Sequence, residues 1–412
     1  MVLIAFPPNI VAAAPIVLTN GQNVATPAPF QQMVSVDMSK YSSYAAPNLQ
    51  NIEFFYTDGT LIPSWLESGS SSTTATWWLS IASGIGANSS LTVYMGFALQ
   101  SVNLFDGVTV GEAPQLSGTY GQYDNGAKVF TYYNANPADT TGWTIAGSAG
   151  LSTAAPSGSY FKAPNAYYAN SANGDYMYKP VSGLAPGTVL TFWVYTTGLG
   201  DLFFMCNSSG AGQMARLDGR NTNSYWAGQA ATASWTLWNE PSSGLLEPAN
   251  TWFKIDVVIG ATSSTMYIAP ADTAIGTVGT EANAYTFTNN GNYLGLVGDA
   301  LGSTYITYWN GFVIRAYPPN GTMPGVTADP PLDACAGPTY PLIVAQIVRP
   351  SLAPKGVSPK ANTGSLFILQ NACPAPAETL AQAQQQLANQ KYLTPIGTFT
   401  WGVSNWNDGT WN

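Results

Sequence analysis

Short runs of alternating or β-branched and aromatic residues, separated by Gly, Asn, Ser and Pro, recur about every ten residues along this chain. Val34–Met38, Ile52–Tyr56, Thr76–Ile81 and Leu91–Met95 carry the pattern in the first part. Thr188–Tyr195, Trp252–Ile259, Thr265–Ile268, Tyr305–Trp309 and Phe312–Tyr317 repeat it later. A side chain that alternates with period two suits a strand with one face buried, and 41 glycines supply the turns between strands. The pattern predicts an all-β fold of tandem β-sandwich or jelly-roll domains. Helical spacing occurs once, in Ala377–Lys391, where Leu380, Ala383 and Leu387 share a face and Pro374, Pro376 and Pro395 bound the segment.

A length of 412 residues is too great for one core, so the chain divides. Pro318-Pro319 and Pro330-Pro331 resist both helix and central strand and mark a connector. The expected organisation is a β-sandwich surface domain over 1–127, a jelly roll over 128–318, a Pro-rich connector over 319–334 and a mixed C-terminal assembly segment over 335–412. The apolar start is broken by Pro7, Pro8 and Pro15, and it has no basic region of the kind that opens a secretory signal. No apolar run reaches the roughly 18 uninterrupted residues of a spanning helix. A removed leader, an unusual export route and release with a virus particle all fit an outward-facing composition on such a chain.

Only 33 residues are charged (12 Lys and Arg, 21 Asp and Glu), 8% of the chain, and histidine is absent. Average usage is about 25% charged. No basic block exists, and Lys40 is the one cation before Lys128, so nucleic-acid binding is not expected. Without histidine the chain lacks the commonest metal ligand and the usual base for a Ser or Cys nucleophile. No cofactor or metal is therefore expected. A surface of hydroxyls and amides has few buried ion pairs to lose on acidification, which suits an acidic external habitat. A crowded assembly with little free surface would have the same composition.

Cys206, within Leu202–Cys206, reads as an inert core thiol. A bond between Cys335 and Cys373 would close a loop of about 39 residues and contribute on the order of 4 kcal/mol. No Cys-x-x-Cys spacing is present, which argues against zinc.

Residues 14 to 127 resemble a domain-of-unknown-function family of large archaeal and bacterial envelope proteins. The resemblance rests on Pro29–Met33, Asn51–Thr60, Ile62–Ser68, Leu91–Phe97, Gly111–Gln115 and Gly121–Gly126, in that order. It implies a surface module and no chemistry. Residues 128 to 318 are similar to a concanavalin-type (laminin-G or lectin-like) jelly roll, through Leu190–Val194, Thr251–Val258, Met266–Ile268, Leu294–Gly298 and Asn310–Arg315. That fold hosts lectins, glucanases, adhesion modules and viral proteins, so it does not give a function.

A glucanase of this fold needs two carboxylates on one strand face, about 5 Å apart. The seven glutamates (Glu53, Glu67, Glu112, Glu240, Glu247, Glu281, Glu378) show no such spacing, and Gly-x-Ser-x-Gly does not occur. Catalysis is not expected. Trp226, Trp235 and Trp238 with Glu240 are the candidate carbohydrate-binding residues, because indole faces cover apolar sugar faces while acids and amides bind hydroxyls. For any single one of these tryptophans, a place in a sandwich core or a subunit interface is the plainer reading. Asp201, Asp218 and Asp299 are candidate calcium ligands, although solvated loop aspartates are the plainer reading. Asn88, Asn207 and Asn320 open N-x-Ser/Thr triplets and are candidate glycosylation sites.

Together these readings predict a non-enzymatic structural protein of an outer, extracellular surface, of archaeal or archaeal-virus origin. One form is a virion turret, spike or capsid-associated protein; the other is a cell-surface filament subunit. Its partners would be copies of itself or other structural subunits. In the filament form, Ile10–Leu18 or Phe399–Val403 would insert as a strand into a neighbour, unless each pairs within its own chain. The alternative class is an adhesin or lectin that binds host or neighbour-cell glycans.

Overall fold

The computed structural model describes residues 4–170, 175–198, 201–206, 215–221, 224–231, 234–237, 250–261, 263–278, 285–288, 293–299, 305–333, 342–343 and 368–369. Among them the fold is all-β, with helix reduced to a one-turn α1 (Gly126–Val129) and short 3₁₀ turns. The expected helix at 377–391, the tail strand at 399–403, and Cys335 and Cys373 lie outside the described residues.

Eight strands open the first sandwich: β1 (Ala12–Asn20), β2 (Phe30–Asp37), β3 (Ile52–Phe55), β4 (Leu61–Ile62), β5 (Ser64–Ser68), β6 (Thr74–Ile81), β7 (Ser89–Phe97) and β8 (Val110–Glu112). Fifteen follow: β9 (Tyr132–Asn134), β10 (Thr144–Ala146), β11 (Gly150–Ser152), β12 (Ala166–Asn170), β13 (Tyr176–Pro180), β14 (Thr188–Thr196), β15 (Asp201–Cys206), β16 (Ala215–Asn221), β17 (Ser224–Ala231), β18 (Ser234–Leu237), β19 (Trp252–Ile259), β20 (Ser263–Pro270), β21 (Tyr285–Thr288), β22 (Tyr293–Asp299) and β23 (Ile306–Ala316). Then come β24 (Gly325–Ala328), β25 (Leu332–Asp333) and the two-residue pair β26 (Leu342–Ile343) with β27 (Ile368–Leu369).

The first sandwich stacks an outer sheet, β24-β1-β7-β3-β4 with β25 also on β1, over an inner sheet, β2-β6-β5-β8. The second stacks an inner sheet, β11-β12-β23-β14-β19-β20-β21 with β9 on β23, over an outer sheet, β10-β13-β22-β15-β16-β17-β18. Alternation builds both cores. Ala12, Ala14, Ile16 and Leu18 of β1 meet Val34, Leu66, Trp77 and Leu79 in the first. Leu190, Phe192 and Val194 of β14 meet Met177, Leu294, Leu296 and Phe312 in the second.

The region expected to be a connector is partly strand. β24 and β25 both pair with β1, and the break between them falls opposite Pro15. Proline has no N–H to donate, so the ladder on this side of β1 is interrupted there while that to β7 runs on with Pro15 opposite Tyr94, and the Pro15 carbonyl still accepts from the Asp329 N–H at 3.0 Å. The chain therefore returns from the second sandwich to the edge of the first. β1 itself pairs with β7 and β24 of its own chain, so Ile10–Leu18 is held within this protomer rather than donated. The two runs expected at 305–317 form one strand, β23, kinked at Gly311, whose φ of 70° belongs to the left-handed region.

Candidate functional site

The most elaborate constellation lies where the two inner sheets meet. In β6 the adjacent tryptophans point to opposite faces: Trp77 enters the first core, while Trp78 faces the second sandwich. Trp65 of β5, Trp193 of β14 and Val313 of β23 face the same junction, joined by Phe130, Phe161 and Trp252. The rings pack edge-on or tilted, with Trp65–Phe130 centroids at 5.5 Å, Trp78–Phe130 at 5.4 Å and Phe161–Trp193 at 5.2 Å. Tyr160 stacks on Trp193 at 4.8 Å. Both inner sheets are thus covered on both faces, and the sandwiches form one four-layer block.

Charge is rare in this chain, yet four charged side chains are buried at or beside the junction: Glu67, Lys254, Asp256 and Arg315. Glu67 follows Trp65 by two on β5 and so shares its outward face. Its carboxylate accepts from Trp78 Nε1 (2.8 Å) in its own sandwich and from Tyr160 OH (2.6 Å) and the Ile275 N–H (2.8 Å) in the other. Arg315 lies over the Trp78 ring, 5.5 Å from its centroid, and donates to the Ile275 carbonyl at 3.3 Å. Lys254 pairs with Asp256 at 2.9 Å and donates to the carbonyls of Ala274 and Thr277. Burial pushes the Lys254 ammonium down and Asp256 pushes it back up. With two carboxylates and two cations the cluster is neutral overall, which lowers the cost of burying it. Gly276 gives the loop its close approach, because a Cβ there would meet Met33 and the Trp78 ring.

Further hydrogen bonds cross the seam. Gln31 Oε1 accepts from the Ala316 N–H at 2.7 Å, and Gln32 Nε2 donates to the Pro324 carbonyl at 3.1 Å. Asp124 accepts from Trp65 Nε1 (3.0 Å), the Gly126 N–H (3.1 Å) and Tyr133 OH (2.9 Å). Burial outweighs these donors and raises its carboxyl above the ordinary aspartate range. Burial likewise raises Glu112, and it lifts Glu53, 5% exposed on β3, to about 7 with help from Asp106. Burial thus shifts all three of these carboxyls upward. The chain also holds a buried ion pair, Lys254–Asp256, that the sparse charge did not announce.

The outer sheet of the second sandwich presents a different surface. Met177 enters the core, so its neighbours Tyr176 and Tyr178 face outward. Their rings stack at 6.1 Å, and Tyr178 reaches Tyr293 of β22 at 6.1 Å. All three are half-buried. Trp226 and Trp235 lie in strands of this sheet, opposite Asp218 and Ala230, and their side chains lie outside the description. Trp238 and Glu240 lie outside the described residues altogether. The tyrosine row escaped the sequence reading, although the alternation Tyr176-Met177-Tyr178 signals it.

Asp201 and Asp299 are paired in register across β15 and β22, while Asp218 sits on β16. Among the described residues no group of three metal-ligating side chains converges. Asn88 and Asn320 are exposed, with left-handed φ of 47° and 53°. Both touch Gln22: the Asn88 N–H donates to its carbonyl and Asn320 Nδ2 to its side-chain oxygen, each at 2.9 Å. Two triplets more than two hundred residues apart thus converge on one end of the first sandwich. Asn207 lies outside the described residues, as does the side chain of Cys206. No described helix is long and apolar enough to cross a membrane.

No protein-family model matches this chain, so none stands behind the envelope-family resemblance of residues 14 to 127. The chain is 28% identical over 353 residues to Uncharacterized protein 562 of Sulfolobus islandicus rod-shaped virus 1. That alignment covers 77% of this chain and 59% of the viral protein, so the chain spans less than two thirds of its relative. Among solved structures, the Caenorhabditis elegans galectin LEC-6 is 11% identical with a TM-score of 0.23, over 33% of this chain and 88% of the galectin. A botulinum neurotoxin type C structure is 11% identical with a TM-score of 0.30, over 45% of this chain and 47% of that one. A tetrameric galectin from the sponge Cinachyrella is 11% identical with a TM-score of 0.25, over 34% of this chain and 99% of the galectin. This chain is therefore similar, over most of its length, to a protein of an archaeal rod-shaped virus.

Proposed function

We propose that this chain is a non-enzymatic structural protein exposed on the surface of a virus particle, extracellular once the particle is released. The observation that carries the reading is the fused four-layer block. Aromatic packing and a neutral buried charge cluster lock the two sandwiches together, and the return of β24 and β25 to β1 ties the chain twice across the seam. A rigid, hydroxyl-rich body of this kind suits a repeating part of a particle. The gathered carboxylates Glu67 and Asp124 are held by structural donors, which leaves them poorly placed as acid or nucleophile. The similarity to a viral protein supports the virion over a cellular filament. The test is proteomic: density-gradient-purified particles should contain this chain in constant ratio to the major coat protein through successive gradients. Its loss from the particle band while it remains in the soluble fraction would refute the reading.

A second reading is glycan binding at the outer sheet, favoured by the half-exposed row Tyr176, Tyr178 and Tyr293. Such rings offer faces for sugar stacking. A glycan array probed with the whole chain and with Tyr178→Ala tests it.

A further inference from the structure

The outward face of the first sandwich's outer sheet carries a covered acid. On β3, Ile52 and Phe54 enter the sandwich core, so Glu53 and Phe55 point the other way. Two segments cover that face. The N-terminal segment brings Ile4, Phe6 and Ile10, and the stretch after β7 brings Ala98, Val102 and Leu104, all packed in one cluster with Phe55 and Tyr94. Gly96 of β7, opposite Glu53, makes room for this cover, because a Cβ there would meet Phe55 and Ile10. Glu53 is left 5% exposed, and its Oε1 is buried with no hydrogen-bond partner among the described residues.

Residues 99–104 run between two fixed points. The Ala98 N–H donates to the Asn51 carbonyl at 2.9 Å, and the Ala98 carbonyl accepts from Asn51 Nδ2 at 2.6 Å. Phe105 is buried in the sandwich core. Between these anchors no side chain is fully buried: Leu99, Val102 and Leu104 are half-buried, and Gln100, Ser101 and Asn103 are exposed. The Leu104 N–H donates to the Gln50 carbonyl at 2.7 Å, and Gln100 Nε2 reaches the carbonyls of Ser42 and Ser43. A segment held by so little buried surface opens at low cost while its ends stay in place. The N-terminal segment is tied more firmly, by the bonds Ala5 N–H to Thr57 carbonyl and Val11 N–H to Phe97 carbonyl and by Phe6 against Phe55 at 6.0 Å.

A carboxylate at Glu53 has nothing nearby to balance it. The titratable groups on the elements around it are Tyr94 of β7, Asp58 in the turn after β3, Tyr123 beside Asn103, and Asp106 just past the stretch; none is cationic. Lys40, the one cation before Lys128, is exposed and pairs with Asp37 at 3.9 Å. Burial and then Asp106 push the Glu53 carboxyl up to about 7. An ionised Glu53 therefore needs water, and water reaches it when the cover lifts. We propose that residues 99–104 are a strap that closes over Glu53 when it is protonated and lifts when it ionises, baring Phe55 and Tyr94. The closed state holds the proton more tightly than the open one, where the carboxyl has its ordinary affinity. Closure is thus strongest below about pH 4.5 and weakens as pH rises to about 7. The device is independent of whether the chain belongs to a particle.

The test is amide hydrogen exchange of the full chain, read by mass spectrometry at several pH values and corrected for the intrinsic exchange rate at each. Protection of the peptide spanning 99–104 should fall by roughly tenfold or more from pH 5 to pH 7.5 and change little above that. Protection in β1 and β7 should hold. Glu53→Gln, a neutral side chain of the same shape, should keep the strap protected at every pH, and Asp58→Asn should leave the wild-type fall unchanged. A strap whose protection does not fall, a fall shared equally by β1 and β7, or the same fall in Glu53→Gln would each overturn the proposal. The first two outcomes are read in the wild type alone, so they stand whether or not the variants fold.

Discussion

Replacing Glu67 by alanine probes the lock between the sandwiches most sharply. The substitution deletes one acceptor group that serves three donors: Trp78 Nε1, Tyr160 OH and the Ile275 N–H. A buried donor left unpaired costs about 1–3 kcal/mol. Trp78 and Ile275 are fully buried and bear that cost, whereas half-buried Tyr160 can recover part of it from water. Deletion also leaves Lys254 and Arg315 facing a single carboxylate, Asp256, in a site without solvent. We therefore expect a loss of about 3–5 kcal/mol. Glu67→Gln should lose roughly half as much, since its amide oxygen serves one side of the seam while its NH₂ opposes a donor on the other. The assay is urea unfolding followed by tryptophan fluorescence. The wild-type block should unfold in one transition, and Glu67→Ala should split it in two as the sandwiches uncouple. Combining Glu67→Ala with Tyr160→Phe should cost clearly less than the two single changes added together. A loss below about 1 kcal/mol, or strict additivity of that pair, would refute the assignment of Glu67 as the link.

Three other outcomes are expected. Glu53 has a folded pKa of about 7 against an ordinary 4.5, so its contribution is fully present below about 4.5 and is lost as pH rises through about 7. That interval corresponds to roughly 3 kcal/mol at most. Thermal midpoints should fall from pH 4.5 to pH 8 in the wild type and fall less in Glu53→Gln; equal slopes would contradict the reasoning. Gly311→Ala places a Cβ 2.6 Å from the Trp193 ring at a left-handed position and should cost roughly 2–4 kcal/mol, read by the same urea titration. Intact-mass and peptide analysis of the native protein should find glycans on Asn88 and Asn320; unmodified asparagine at both would contradict their assignment as acceptors.

Much of the fold is legible because alternation leaves a direct trace. Trp252–Ile259 is a strand over the same residues that the pattern marks, and β2, β3, β6, β7 and β14 contain theirs within a residue or two. The strands at 325–333 are hidden because prolines surround them, and a β-edge tolerates proline where a ladder interior does not. The double cover of the inner sheets is written in Thr76-Trp77-Trp78-Leu79, where both faces are apolar; one-sided alternation is the wrong template for it. Glu67 is not legible at all. A glutamate beside a tryptophan reads as a surface residue until the second sandwich brings Tyr160 and Ile275 to it, contacts 93 and 208 residues distant in sequence. The sparse charge leads to an expectation of stability in acid, and Glu53 adds a separate route to it, through burial of a carboxyl whose pKa is raised to about 7 rather than through a missing ion pair.

Cryo-electron microscopy of particles purified from the native source, without recombinant expression, decides whether this chain forms part of a virus surface. Density for the four-layer block, repeated by the symmetry of the particle and facing outward, is the expected result. Intact particles whose surface lacks that block, with the chain recovered only as a free monomer or small oligomer, would contradict it.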